Sequence, residues 1–154
     1  MYFWKIEPLK EEFRKGNFKD KDVISYIVIY VALYAVGMEL MGYFPDEGIN
    51  FWTYVLSIMN VFVPIGGIIY AYKLNGGPNG KDFALKYFGI GFVVLIRFII
   101  YLIPVLVIMM VYWWFVFGDQ KEYPTTFIEA AVFTTWHVLF YLRMAKHIRD
   151  TTMA

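Results

Sequence analysis

The chain has 154 residues, of which 60% are hydrophobic, 21% aromatic and only 18% charged, whereas soluble domains carry about 25% charged residues. It contains no cysteine, which excludes disulfides, thiolate metal ligands and cysteine nucleophiles. The net charge is +1, and the basic residues do not alternate with aromatic ones, so we expect no nucleic-acid partner. This composition indicates an integral membrane protein.

Residues 1–22 form a charged cytoplasmic segment before the first apolar run. Apolar side chains recur there with helical spacing at Tyr2, Ile6, Leu9 and Phe13. Such spacing predicts an amphipathic helix, with Pro8 in its first turn and Gly16 at its end. The helix lies either along the inner leaflet of the membrane or against the protein's own cytoplasmic side, and the spacing leaves both interpretations open.

Four apolar runs follow, each reaching the ~20 residues that a helix needs to cross a ~30 Å hydrocarbon core. The predicted spans cover residues 23–44, 51–72, 95–117 and 125–143. We therefore predict an all-α integral membrane protein, a four-transmembrane-helix bundle with the amphipathic N-terminal helix and a long, tilted third helix. The spans form one membrane domain over 23–147, and 148–154 form a short cytoplasmic tail.

The basic residues predict the orientation of the spans. Of the 14 Lys and Arg residues, Lys121 alone lies in the loop 118–124, and the loop 45–50 has none. Apart from Arg97, within the third run, the others lie before the first span, between the second and third, or at and beyond the end of the fourth. The positive-inside rule then places both termini and the middle loop in the cytoplasm, with the chain in the inner (plasma) membrane.

The third run, residues 85–117, is too long for one perpendicular span, since about 33 residues make ~50 Å of helix. An aromatic belt at residues 112–114 marks the outer interface, and ~20 residues before it the inner boundary falls near Leu95. Residues 82–94 then form a cytoplasmic or interfacial extension. Arg97 lies one turn inside and extends to lipid phosphates, or else forms a buried ion pair or anion site. A break at Pro104 is the competing model.

One helical line of the second span carries small or polar residues: Thr53, Ser57, Asn60, Pro64, Gly67 and Ala71. Membrane helices associate through small residues and inter-helix hydrogen bonds, so this packing stripe is expected to face protein. Pro64 removes a backbone hydrogen bond and, beside two glycines, favours a kink near mid-membrane.

The first and fourth spans place their ionisable groups on inner faces: Glu39 in the first, and Glu129, Thr134 and His137 in the fourth. Counted from the outer ends, the two glutamates share a shallow depth, while Asn60 and His137 both lie near the middle. Intramembrane ionisable groups are candidates for function. This network is either structural hydrogen bonding or a polar pathway for ions or protons.

Catalytic motifs are absent from the sequence. The glycine-rich stretch 76–81 is one residue short of a phosphate-binding loop and has Asp82 where that loop needs a hydroxyl. His137 and His147 are not at metal-ligand spacing. We therefore predict no metal site, no cofactor and no enzymatic activity.

Two functions remain open. The first is a non-enzymatic inner-membrane protein that forms a homo-oligomer, or binds another membrane protein, as a sensor, scaffold or pore subunit in contact with membrane lipid. Its size and motif content are also typical of immunity or defence factors. The alternative is a small proton-coupled transporter or ion channel that uses Glu39, Glu129 and His137.

Overall fold

The computed structural model describes residues 2–41, 49–118 and 124–152, without the side chains of residues 38–41. These residues form five α-helices and one 3₁₀ turn, with no strand among them. The elements are α1 (Ile6–Arg14), α2 (Asp20–Met41), α3 (Phe51–Leu74), the 3₁₀ turn (Gly77–Asn79), α4 (Phe83–Phe117) and α5 (Phe127–Asp150). The all-α prediction is confirmed. Most of the two predicted outer loops, including Lys121, lies outside the described residues.

Among the described residues, α3 and α4 are the two helices long and apolar enough to cross a membrane. Only 6% of the most apolar stretch of α3 and 22% of that of α4 are buried inside the protein. Phe62 on α3 is 65% exposed and Ile108 on α4 is 67% exposed. The core helix of a soluble protein buries such side chains, whereas these faces of α3 and α4 are exposed.

The helices pack in a row whose order differs from the order of the chain. Helix α3 packs most extensively on α5, α5 packs on α4, and α4 packs on α2. Helices α2 and α3 thus stand at the two ends of the row, and each has one principal neighbour among the described residues. Helix α1 packs on α4.

Helix α5 packs closely on α3 because Gly67 has no side chain. A Cβ built on Gly67 would lie 2.3 Å from Cγ of Tyr141, well inside van der Waals contact. One turn further along α3, Ala71 is completely buried. At the other end of the helix pair, the Thr53 hydroxyl donates to Oγ1 of Thr125 at 3.1 Å. Small residues on α3 therefore pack against α5 at one end of the helix pair, and a hydrogen bond joins the two helices at the other end.

Helix α4 is continuous from Phe83 to Phe117 and includes Pro104, so residues 82–94 extend the third helix and the run does not break at the proline. Ile90, Phe92 and Val93 in this extension are fully buried. The N-terminal third of α4 is thus the core of the molecule, while its remaining length is largely exposed.

Helix α1 covers that core. Ile6 is 4% exposed and Leu9 is fully buried, and the Phe13 ring lies against Gly89 of α4, where a Cβ would be 3.1 Å from it. Pro8 occupies the first turn, and Gly16 follows the helix with a φ of +67°. Of the two placements left open by the sequence, α1 packs on the protein's own helices.

The turn between α3 and α4 depends on one buried amide. Gly76 has a φ of +100°, which reverses the chain after α3. The Asn75 side chain is fully buried and donates to the carbonyl of Lys81 at 3.2 Å. Its oxygen accepts from Lys86 Nζ at 3.0 Å and from the Thr152 hydroxyl at 3.2 Å. Asn75 therefore joins the turn, α4 and the residues after α5.

Candidate functional site

The end of the molecule formed by α1, the first half of α4 and the last turns of α5 collects most of the described cations, and we call it the basic end. Lys10 of α1 is buried there and contacts Asp150 Oδ2 at 2.9 Å and Glu7 Oε1 at 3.0 Å. Arg14 donates to the Asp150 carbonyl at 2.7 Å. Both cations thus lie at the C-terminus of α5, where the helix dipole favours positive charge.

These contacts change the acidity of the two carboxyl groups. The hydrogen bond from Lys10 holds the pKa of Glu7 below its usual value. Burial raises the pKa of Asp150, but the hydrogen bond and charge of Lys10 outweigh burial, and the net pKa is lowered. Both groups are therefore ionised at neutral pH, and Lys10 is neutralised by them.

Arg97 of α4 holds the N-terminal segment. Its Nε donates to the Trp4 carbonyl at 3.2 Å, and its Nη2 donates to the same oxygen. The guanidinium also lies over the Trp4 ring, 5.2 Å from the ring centroid, in a cation–π contact. Arg97 was predicted near an interface, and the structure adds that its guanidinium fixes the chain before α1.

A small cavity lies between α4 and α5 beside Arg97. Its volume is about 50 Å³, and it is lined by Val94, Arg97, Phe98, Tyr101, Arg143 and His147. Val94 and Phe98 form an apolar wall on α4, and Tyr101 also lines the cavity. Three nitrogen-bearing side chains, of Arg97, Arg143 and His147, supply donors. Such a set of donors, without a carboxylate among the lining residues, suits an anion.

His147 is the most buried polar group of this cavity, at 6% exposure. Neither ring nitrogen has a hydrogen-bond partner among the described residues, and Nδ1 lies 3.9 Å from Asp150 Oδ2. Burial, followed by the charges of Lys10 and Arg143, lowers the pKa of His147 to about 4. The imidazole is therefore neutral at pH 7, with one N–H available to donate.

At the opposite end of α5 from the basic end, Glu129 caps the helix. Its Oε2 accepts from the Thr126 backbone N–H at 2.6 Å and from the Thr126 hydroxyl at 2.9 Å. Thr126 Oγ1 accepts in turn from the Glu129 N–H, forming a capping box, and it also accepts from the Tyr112 hydroxyl at 3.1 Å. The Glu129 carboxylate is thus committed to the N-terminal cap of α5, and the Tyr112 hydroxyl joins that cap to α4.

The other members of the predicted polar pathway are dispersed. His137 is half-buried, and its Nδ1 lacks a partner within the described residues. Thr134 lines a groove of about 210 Å³ between α3 and α5. Asn60 is exposed and makes no hydrogen bond to any described residue. The Glu39 side chain lies outside the described residues.

No protein-family model, no curated protein and no solved structure matches this chain. Among the described residues, no group of three or more His, Asp or Glu side chains is placed to hold a metal ion. Geometry and charge therefore carry the functional assignment.

The packing stripe of α3 divides into two parts. Thr53, Pro64 and Gly67 are half-buried and Ala71 is buried, whereas Ser57 and Asn60 in the middle are exposed. The face of α3 toward α5 at that level is instead formed by Trp52, Val55 and Met59. The two ends of the stripe thus pack against α5, whereas the two polar residues in its middle, Ser57 and Asn60, are exposed.

Sequence reasoning missed the main features of the basic end. It did not single out Lys86 or Asp150, and it considered His147 only as a metal ligand. One signal was available, because Arg143 and His147 are four residues apart and share a helix face. The pairing of Lys10 with Asp150 had no local signal, since the two residues lie 140 positions apart.

Proposed function

We propose that this chain is a non-enzymatic multi-pass membrane protein of the inner membrane that self-assembles as a sensor, scaffold or pore subunit. In this arrangement α2 to α5 span the membrane, α4 is tilted, and the basic end with α1 lies in the cytoplasm. The distribution of Lys and Arg supports the orientation. The exposed apolar faces of α3 and α4 support contact with lipid.

The observation that carries self-assembly is the exposed amide of Asn60. Asn60 lies ~14 Å along α3 from Phe51 and ~21 Å from Leu74, close to the middle of an apolar helix. It is exposed and has no hydrogen bond to any described residue. An unpaired amide in hydrocarbon is costly, and interhelical hydrogen bonds relieve that cost.

A second copy of the chain is the partner that fits this surface best. The carboxamide has both donors and an acceptor, so two Asn60 side chains related by a two-fold axis satisfy each other. Ser57, one turn away, is small and also exposed, which permits close approach of two α3 helices. The surface formed by Ser57 and Asn60 is therefore the proposed contact between copies.

Crosslinking in native membranes tests this contact. Because the chain has no cysteine, a Ser57→Cys variant carries a single thiol, and we expect it to form a disulfide-linked dimer on mild oxidation. Phe62→Cys is the control, since Phe62 is exposed but points ~160° away from Asn60 on the same helix. Equal crosslinking of the two variants, or of neither, would contradict the proposed surface.

A substitution measures the contribution of the amide. Asn60→Leu should weaken self-association about 3- to 30-fold, because membrane-buried side-chain hydrogen bonds contribute ~0.6–2 kcal/mol. Fluorescence energy transfer between labelled copies in liposomes, diluted with lipid, gives the affinity. A protein that is monomeric at every lipid dilution would overturn self-assembly.

A proton-coupled transporter or ion channel is the second candidate, and one observation favours it. Nδ1 of His137 is buried without a partner among the described residues, on the helix that also carries Thr134 and Glu129. We would compare proton flux in liposomes that contain wild-type protein with flux for the Glu39→Gln, Glu129→Gln double variant. Flux that the variant abolishes supports transport, and no flux from well-inserted wild-type protein rejects it.

A further inference from the structure

The cavity between α4 and α5 at the basic end has chemistry that self-assembly does not use. We propose that it binds a phosphate group, held by Arg97, Arg143 and His147. The proposal stands on the cavity alone and does not depend on self-assembly through α3.

The charge at the cavity favours an anion. Arg97 and Arg143 keep their charge at any physiological pH, and neither makes an ion pair with a carboxylate among the described residues. Asp150 lies 3.9 Å from Nδ1 of His147, but Lys10 already neutralises it at 2.9 Å. Two cations thus border a largely apolar cavity, where an anion lowers their mutual repulsion.

Hydrogen-bond donors are available in the same place. The Trp4 carbonyl occupies Nε and Nη2 of Arg97, so the Nη1 group remains free for a ligand. His147 is 6% exposed and neither of its ring nitrogens is paired within the described residues. A buried donor without an acceptor is destabilising. A phosphate oxygen would satisfy it, and the exposed guanidinium of Arg143 suits the other oxygens.

The size of the cavity limits the ligand. A volume of about 50 Å³ is several times the roughly 10–15 Å³ that one water needs, which suits a single phosphate group and is too small for a nucleotide. Val94 and Phe98 wall the cavity on the α4 side, and such apolar walls strengthen the attraction between the guanidinium groups and an anion.

Two sources can supply this phosphate group. Arg97 lies ~22 Å along α4 from Tyr112, and Arg143 lies ~25 Å along α5 from Thr126. In a membrane-spanning arrangement both side chains then reach the level of lipid headgroups, which would supply a lipid phosphate. Free phosphate from solution has the same chemistry.

Thermal unfolding of the full-length protein in a non-ionic detergent tests the site with two probes. One probe is inorganic phosphate, compared with chloride at matched ionic strength, and the other is a short-chain phosphatidic acid, compared with the corresponding phosphatidylcholine. The decisive variant is Arg143→Gln, because Arg143 is exposed and its removal leaves the packing intact. Lys146→Gln is the matched control, since it removes the same charge from the same turn of α5 outside the cavity.

We expect saturable stabilisation of the wild type and of Lys146→Gln, with the apparent affinity about 10-fold or more weaker in Arg143→Gln. Stabilisation by both probes, or by inorganic phosphate alone, identifies a site open to free phosphate. Stabilisation by phosphatidic acid alone identifies a lipid headgroup site. No stabilisation by either probe, or an equal response of all three proteins, overturns the proposal.

Discussion

Lys10 Nζ lies 2.9 Å from Asp150 Oδ2, so a buried lysine of the first helix is held by the last residue of the last helix. The Lys10 side chain is only 5% exposed, against 27% for Asp150. A charge buried to that degree requires a partner. This ion pair therefore joins the two ends of the chain and fixes α1 over the core of α4.

The substitution Asp150→Asn should weaken the attachment of α1 to α4 and α5. The substitution leaves the buried ammonium of Lys10 with Glu7 as its remaining ionic partner, and we expect a loss of about 1–3 kcal/mol in the free energy of unfolding. Denaturant unfolding monitored by tryptophan fluorescence measures it. Lys10→Met with Asp150→Asn completes a double-mutant cycle, and additive effects of the two substitutions would mean that the pair does not couple α1 to α5.

The stability of the protein should fall as the pH decreases from about 6.5 to 4. The pKa of His147 is about 4 in the folded protein and about 6.5 in the unfolded chain. In this window the unfolded chain binds a proton that folded His147 does not, so acid favours unfolding. Melting temperatures at pH 7, 6 and 5 should decline less in His147→Gln, and parallel declines would refute this role of His147.

The lowered pKa values of Asp150 and Glu7 affect the stability of the protein at more acidic pH than His147 does. Each carboxylate stabilises the fold above its unfolded pKa, near 4, and that stabilisation is lost as the pH falls through the lowered folded pKa. Melting temperatures measured at pH 5 and above therefore report the contribution of His147 without that of Asp150 and Glu7.

Gly67→Ala should disrupt the packing of α3 on α5. The new methyl group would lie 2.3 Å from Cγ and 2.7 Å from Cβ of Tyr141, and atoms so close to the backbone cannot move without shifting the helix. We expect a loss of about 1–3 kcal/mol in stability. Gly66→Ala is the control, because nothing lies within 4 Å of its Cβ. Equal free energies of unfolding for the two variants would show that Gly67 and Tyr141 are not in close contact.

Two substitutions of Glu129 separate its capping role from a role in proton movement. Glu129→Ala should cost about 0.5–2 kcal/mol through loss of the capping box, whereas Glu129→Gln keeps an acceptor for the Thr126 N–H and should remain close to wild-type stability. Thermal unfolding of both variants provides the measurement. If Glu129→Gln is stable but alters proton flux, the carboxyl has a function beyond the cap.

Local patterns in the sequence were sufficient to predict the helices of this protein. Residue spacing and apolar runs predicted an all-α chain, and α3 begins at Phe51, where the second run was predicted to begin. Pro8 in the first turn and Gly16 at the end were predicted for the first helix, and the structure places both there. These are local properties, because backbone preference and the length of an apolar run are set by neighbouring residues.

Which helix faces contact each other depends on the packing of the whole chain. The regular stripe of small residues on α3 indicated one inner face, but α5 crosses it so that Gly67 is covered and Asn60 is exposed. The cavity beside His147 and the pairing of Lys10 with Asp150 depend on side chains far apart in the chain. Such contacts follow from the packing of whole helices, which the spacing of residues within one helix does not specify.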